Sequence, residues 1–315
     1  MRRSASPLSL TLLGLGVFLL VLAPMLAWYV EPRAKRTPID LDTTTVFKGT
    51  GDYFDQQAVE EKTDEPLTVT RRVLGNVAAS ERGGVAVWDI SQTIDTERTL
   101  ELDDPRKSFQ WTTERWVTDR KTNKPVHCCG ETPTEFAGDA YLKFPFDVQE
   151  KDYRWWDGTL GDTVVLEYVD RVTVQGYEGM RFTGTVDATR TGSRQVPGRL
   201  VGMKETPQVM AEEWYANDNI ELVVDEATGR IIRATTGPHV TLRAPGGTKP
   251  AVTLLHSEGL TFNEKTQKKQ VELARAGSSQ LRAVGTTAPI GAGVVGVLLA
   301  AAGAVLVVRG RRPAQ

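Results

Sequence analysis

Two stretches of this 315-residue chain contain no Asp, Glu, Lys or Arg: Leu8 to Val30, 23 residues, and Ala288 to Val308, 21 residues. A helix rising about 1.5 Å per residue needs roughly 20 apolar residues to cross a hydrocarbon core about 30 Å thick. Each run is therefore predicted to cross a bilayer as a transmembrane helix. Arg2 and Arg3 precede the first run, Arg309, Arg311 and Arg312 follow the second, and neither tail holds an acid. Between the runs, Glu31 to Thr287 carry 33 Lys and Arg against 40 Asp and Glu, a net charge of -7. The positive-inside bias then predicts two cytoplasmic termini and an extracytoplasmic middle. Arg33, Lys35 and Arg36, close behind the first run, pull the other way.

A cleaved signal peptide is the competing reading of the first run. Its apolar stretch exceeds a signal core of roughly 7 to 15 residues, and Ala27 is preceded two positions earlier by Met25 rather than a small residue, so retention is predicted. In the second run Ala292, Gly296, Ala300 and Ala304 recur every four residues and offer a small-residue face for helix packing. The predicted order is a tail over 1–7, a span over 8–30, a β-rich domain over 31–262, a juxtamembrane helix over 263–287, a span over 288–308 and a tail over 309–315.

In the middle, alternation replaces helical periodicity. Thr68 to Val77, Val85 to Thr96, Gln110 to Thr118, Thr163 to Val174, Gly179 to Thr189 and Ile220 to Val224 are rich in Val, Ile, Thr and aromatics, with Ile231 to Thr235 and Pro250 to Leu255 as shorter additions. Gly, Pro, Asn and Asp punctuate them, which favours antiparallel hairpins over crossover helices. The fold class is therefore a mainly β domain, an antiparallel sheet that is curled or barrel-like, flanked by two transmembrane α-helices. Asn263 can cap the one helical candidate, which runs to about Leu281. Asp119, Thr122 and Asn123 repeat as Asp225, Thr228 and Gly229, each after a Val-rich strand; two ordinary hairpin turns account for this better than a duplicated half-domain.

Catalytic chemistry is hard to find. The sequence holds no nucleophile elbow, phosphate loop, zincin helix or dinucleotide-binding glycine pattern, and only three histidines, His127, His239 and His256. No enzyme activity, cofactor or metal is predicted, and the negative middle domain disfavours nucleic acid. Both cysteines lie side by side as Cys128 and Cys129. One pair lacks the spacing and partner ligands of a zinc site. An oxidising outer surface favours a vicinal disulfide, although neighbouring Cα atoms, about 3.8 Å apart, sit closer than most disulfides allow; free buried thiols and an intermolecular bridge remain open. Lys143-Phe144-Pro145-Phe146 with Tyr153, Trp155 and Trp156 forms an aromatic cluster. Phe144, Phe146, Trp155 and Trp156 are its candidate contacts to an acyl chain or sugar, and core packing is the competing reading.

These residues also carry a resemblance. A Pro-flanked first span, T-T-E-R-W-V-T-D-R-K-T-N from Thr112 to Asn123, the Cys128-Cys129 pair, K-F-P-F with Tyr153 and Trp156-Asp157, and a late span resemble the actinobacterial porin PorA-like membrane-protein family over nearly the whole chain. Asn123 stands where the first turn of that pattern often has Gly. The resemblance implies a cell-envelope protein, with no established enzyme activity to carry over. A porin barrel crosses with many strands, whereas two apolar helices would do the spanning here. The expected function is a double-anchored envelope protein whose outer domain binds or hands on a lipid or other apolar ligand. The alternatives are an oligomeric channel, with copies joined through their transmembrane helices, and, last, a surface hydrolase.

Overall fold

The computed structural model describes residues 6–102 and 104–310. The outermost parts of both predicted tails lie outside those residues. The chain divides into two units, one built from the residues up to Arg36 and from Ala276 onward, the other from Thr37–Arg275.

The first unit is a helical hairpin. Helix α1 (Pro7–Met25) runs through a π-helical turn at Leu26–Val30 into the short α2 (Glu31–Ala34), and α6 (Ala288–Gly310) follows a matching π turn at Ala283–Thr287. Among the described residues, two helices are long and apolar enough to cross a membrane. They pack antiparallel. A Cβ added to Gly16 would lie 2.8 Å from Ala300 Cα, one on Gly296 would lie 3.0 Å from Gly16 O, and one on Gly303 would lie 2.9 Å from Leu13 Cα. Small side chains let the backbones touch, which dispersion between helices in lipid requires.

The seam differs from a strict four-residue repeat. Ser9 and Gly16 on α1, and Pro289, Gly296 and Gly303 on α6, are buried at intervals of seven, whereas Ala304 is exposed. Four residues on a 3.6-residue helix overshoot a full turn by roughly 40°, so a strict four-step series walks off the seam while a seven-residue one stays close to it. Gly296 and Ala300 face α1, Ala292 is half-buried, and Gly303 takes the place expected of Ala304. At the π-turn end, Trp28 is 82% exposed and Arg33 lies 3.5 Å above the Tyr29 ring, an aromatic and cationic girdle of the kind found at membrane interfaces.

The second unit is a 12-stranded antiparallel sheet. In chain order β1 (Asp42–Asp55), β2 (Glu60–Gly75), α3 (Val77–Gly83), β3 (Ala86–Thr96), α4 (Glu97–Leu100) and β4 (Gln110–Thr118) make the first half. Then come β5 (Tyr153–Asp157), β6 (Asp162–Val174), β7 (Tyr177–Pro197), β8 (Gln208–Val224), β9 (Ile231–Thr236), β10 (Pro238–Arg243), β11 (Val252–His256), β12 (Leu260–Phe262) and α5 (Glu264–Arg282). The order across the sheet is β4-β3-β2-β1-β11-β10-β8-β7-β6-β5, with β12 and β9 joining β1 to β8 a second time. Each strand turns alternate residues inward: Val69, Trp88, Ile90, Trp116, Leu166, Phe182 and Leu222 belong to one core.

The sheet curls into a ring whose two ends, β4 and β5, are joined by the irregular segment between them rather than by a ladder. Arg115 on β4 bridges Thr132, and Trp155 on β5 bridges Ala140. Phe136, Tyr141, Phe144 and Val148 of that segment fill the interior. On the outside, Asn263 caps α5 by accepting from the Thr266 N–H at 2.8 Å, and Val271 and Ala274 cover Val223 and Ile232. Strand β1, which alternation does not predict, has Gly49 and Gly51 where added Cβ atoms would strike the Gly259 and His256 carbonyls, so close strand approach explains the glycines that hid it.

Candidate functional site

The irregular segment is gripped by two turns of the same design. Asp119 accepts from the N–H groups of Lys121 and Thr122 at 3.0 and 2.7 Å and from the Thr122 hydroxyl at 2.9 Å. These bonds, the Thr122 N–H foremost, hold its carboxyl below the usual carboxylate range. Asp225 likewise accepts from the Thr228 N–H at 2.9 Å and from the Thr228 hydroxyl. Asn123 and Gly229 take the left-handed position, at φ 60° and 70°. Both turns meet the K-F-P-F motif: Asn123 Nδ2 donates to the Lys143 carbonyl at 3.0 Å, and the Phe144 N–H donates to the Gly229 carbonyl at 2.7 Å.

Between these grips the Lys143 Nζ is buried without a hydrogen-bond acceptor among the described residues, 4.3 Å above the Phe146 ring. Burial, helped by the nearby Arg230 guanidinium, pulls its pKa down from 10.5 to about 7. Arg230 is also lowered by burial, against the pull of Asp225, and donates to Gln270 on α5 at 3.0 Å.

Of the four candidate aromatic contacts, Phe144, Trp155 and Trp156 are 0, 8 and 1% exposed and belong to the main core, while Phe146 is half-buried beside Lys143. Phe144 packs on Tyr153 and Phe182 with ring centroids 5.1 and 4.9 Å apart, and Trp156 on Phe136 at 5.0 Å. In this arrangement the three pack as core, the competing reading of the cluster.

Polar groups run through the same interior. The Tyr141 hydroxyl donates to Glu114, and burial followed by the Glu114 charge raises its pKa strongly. The Tyr215 hydroxyl donates to Asp157 at 2.8 Å and accepts from Asn217 at 3.0 Å. The indole N–H groups of Trp116 and Trp156, 0 and 1% exposed, have no acceptor among the described residues, and both rings touch Phe136. Neither donor is foreseeable from sequence, because an indole's partner depends on which strands close around it.

Cys128 and Cys129 are joined to each other. They pack with Val85, Val87, Val117 and Ala79 in a small apolar cluster on the outer face of β3 and β4. Next to it lies an open groove of about 420 Å³, floored mainly by outward residues of β2, β3 and β4, with Ile90 and Glu114 of the inward rows also touching it, and walled by Gly130 and Thr132. Among the described residues no group of three or more His, Cys, Asp or Glu side chains could hold a metal ion.

No curated protein matches the chain. A family profile described as Porin PorA matches residues 8–305, nearly the whole chain and all of the geometry above. The chain belongs to the porin PorA family, as a membrane protein that pairs two long apolar helices with a ring-like antiparallel sheet.

Proposed function

We propose that this is a cell-envelope protein of actinobacterial type, anchored by both helices with its termini in the cytoplasm, whose outer β domain takes up an acyl-bearing ligand into the sheet ring. The carrying observation is the pair of buried indole donors, Trp116 and Trp156, each in contact with Phe136 and each without an acceptor among the described residues. A buried donor left unmade costs about 1–3 kcal/mol. Ester or amide carbonyls of a ligand would supply acceptors for such donors, and each methylene buried with them contributes about 0.8 kcal/mol. Entry falls where the ring lacks a ladder, between β4 and β5, and requires Phe136 and its irregular segment to move aside. Long irregular segments inside compact domains are often functional, as lids or binding loops.

Full-length protein incubated with vesicles of pyrene-labelled phosphatidylcholine tests this. The expected result is extraction of label that falls several-fold in Trp116→Phe and Trp156→Phe, which keep the ring and lose the donor. Absence of extraction by the parent protein, or extraction unchanged in both variants, overturns the reading. The family's description supports a second reading, a channel. The ring interior is filled by side chains and one hairpin encloses no lumen, so conduction would require several copies joined through their helices. Stepwise conductance in a planar bilayer would favour it.

A further inference from the structure

The geometry points to a second, outward-facing binding site: the groove beside the Cys128-Cys129 ring takes a neutral saccharide. The inference is independent of the lipid reading, which concerns the opposite face of the same strands.

The groove is built from two ladder rows. Arg72, Ser91 and Thr113 stand opposite one another across β2, β3 and β4, and Leu74, Asp89 and Arg115 form the next row. Its wall is held to β4 by a reciprocal pair of backbone bonds, the Arg115 N–H to the Thr132 carbonyl at 2.9 Å and the Thr132 N–H to the Arg115 carbonyl at 3.1 Å. The wall turns at Cys129 and Gly130, with φ 61° and 75°, and the disulfide ring anchors that turn on the valines beneath.

The Arg115 side chain is fixed at two points, one of which is itself braced. Its Nε donates to Asp89 at 2.7 Å, one terminal nitrogen donates to the Cys129 carbonyl at 3.3 Å, and Asp89 is held in turn by Asn76 Nδ2 at 3.1 Å. Partial burial works against the Asp89 carboxylate, yet the bonds from Arg115 and Asn76 keep its pKa below the ordinary value. Asn76 is also the N-cap of α3, accepting from the Ala79 N–H at 3.1 Å. A guanidinium clamped this way presents planar donors at little further entropic cost.

The chemistry of the lining selects the ligand. Arg72 is matched by Asp42 at 2.7 Å and Arg115 by Asp89, so an anion meets no surplus positive charge. Ser91, Thr113 and Thr132 bring hydroxyls, which donate and accept as sugar hydroxyls do. Trp111 is not itself a lining residue but flanks the groove, two residues before Thr113 on the same face of β4; it is 43% exposed, and its ring is oriented by its N–H bond to the lining Ser91 at 3.2 Å. An exposed indole offers a flat apolar face for the C–H side of a sugar ring. The volume, about 420 Å³, exceeds the roughly 300 Å³ at which ligand pockets begin. Thr132 already occupies the β4 backbone beside Arg115, which shortens the edge open to an added strand.

The test uses full-length protein in nanodiscs with gluco-, manno- and galacto-configured oligosaccharides, and inorganic phosphate as the anionic arm, read by calorimetry and saturation-transfer NMR. Saturable binding of at least one saccharide is expected, weakened tenfold or more by Trp111→Ala and several-fold by Thr113→Val at unchanged thermal stability. Arg115→Ala should abolish it; since that variant also disturbs the α3 cap, Trp111→Ala and Thr113→Val are the deciding substitutions. No saccharide binding, binding indifferent to both surface variants, or binding of phosphate alone overturns the proposal. Lipid extraction should be unaffected by Trp111→Ala, which separates this site from the interior one.

Discussion

The turns Asp119–Asn123 and Asp225–Gly229 share one backbone course and meet one tetrapeptide, yet they solve the left-handed position with different residues for different reasons. A Cβ at Gly229 would strike the carbonyls of Phe144 and Pro145, so no side chain fits there. Asn123 is fully buried and uses its side chain, the amide reaching the Lys143 carbonyl at 3.0 Å. The departure from Gly in the first turn is thus a gain of a hydrogen bond, open to Asn because it tolerates positive φ better than most residues. Similar turns can carry different demands, and the neighbour, not the turn, sets them.

Breaking the tighter grip should have the largest effect. Gly229→Ala combines positive φ with a backbone clash and is expected to cost about 3 kcal/mol or more, measured by urea denaturation of full-length protein. The same change at Gly161, also left-handed but with open space around it, should cost only about 1 kcal/mol. Equal losses at the two sites would remove the close-approach argument.

Lys143 lies between the grips and should respond to pH. Its folded pKa, about 7, is below the 10.5 of the free side chain, so between those values the unfolded chain binds more protons. Stability should therefore rise as pH increases through that window, with the burial penalty present in full below pH 7. Lys143→Met should stabilise by about 2 kcal/mol near pH 7 and by much less near pH 10. A pH-independent gap between variant and parent would show that the amine is solvated.

The smallest effect belongs to the looser grip. Asn123→Gly keeps the turn and loses the amide bond, at an expected cost of about 1 kcal/mol by the same denaturation, whereas Gly229→Asn should be as damaging as Gly229→Ala. If Asn123→Gly proved the costlier of the two exchanges, the contrast would be reversed.

Sequence reasoning reached furthest where a residue's role is local. Gln110–Thr118 is a strand with the boundaries that its alternation predicts, and Asn263 caps the helix it precedes. The two Asp turns were recognisable because Asp, Thr and a left-handed residue make their bonds within five positions. Their convergence on Lys143 and Phe144 was not, since it depends on how the ring closes. The same holds for Trp155 and Trp156: composition marks them as aromatic, but only the fold decides between a ligand face and a core. The groove was invisible for a related reason. Its residues come from three strands and a loop, and each alone reads as an ordinary solvated side chain.

The pairing of β1 with β11 and β12 bears on the order of synthesis. Val46 donates its N–H to Thr266, 220 residues later. A chain emerging from its N-terminus can build the β1 to β4 meander early, but β1 keeps one unpaired edge until β11 and β12 arrive. Closure of the sheet thus waits for almost the last strand made, just before the helix that leads to the second apolar segment. During that interval the open edge is the part of the nascent protein most exposed to mispairing, and a chaperone acting on this chain would be needed there, late rather than early.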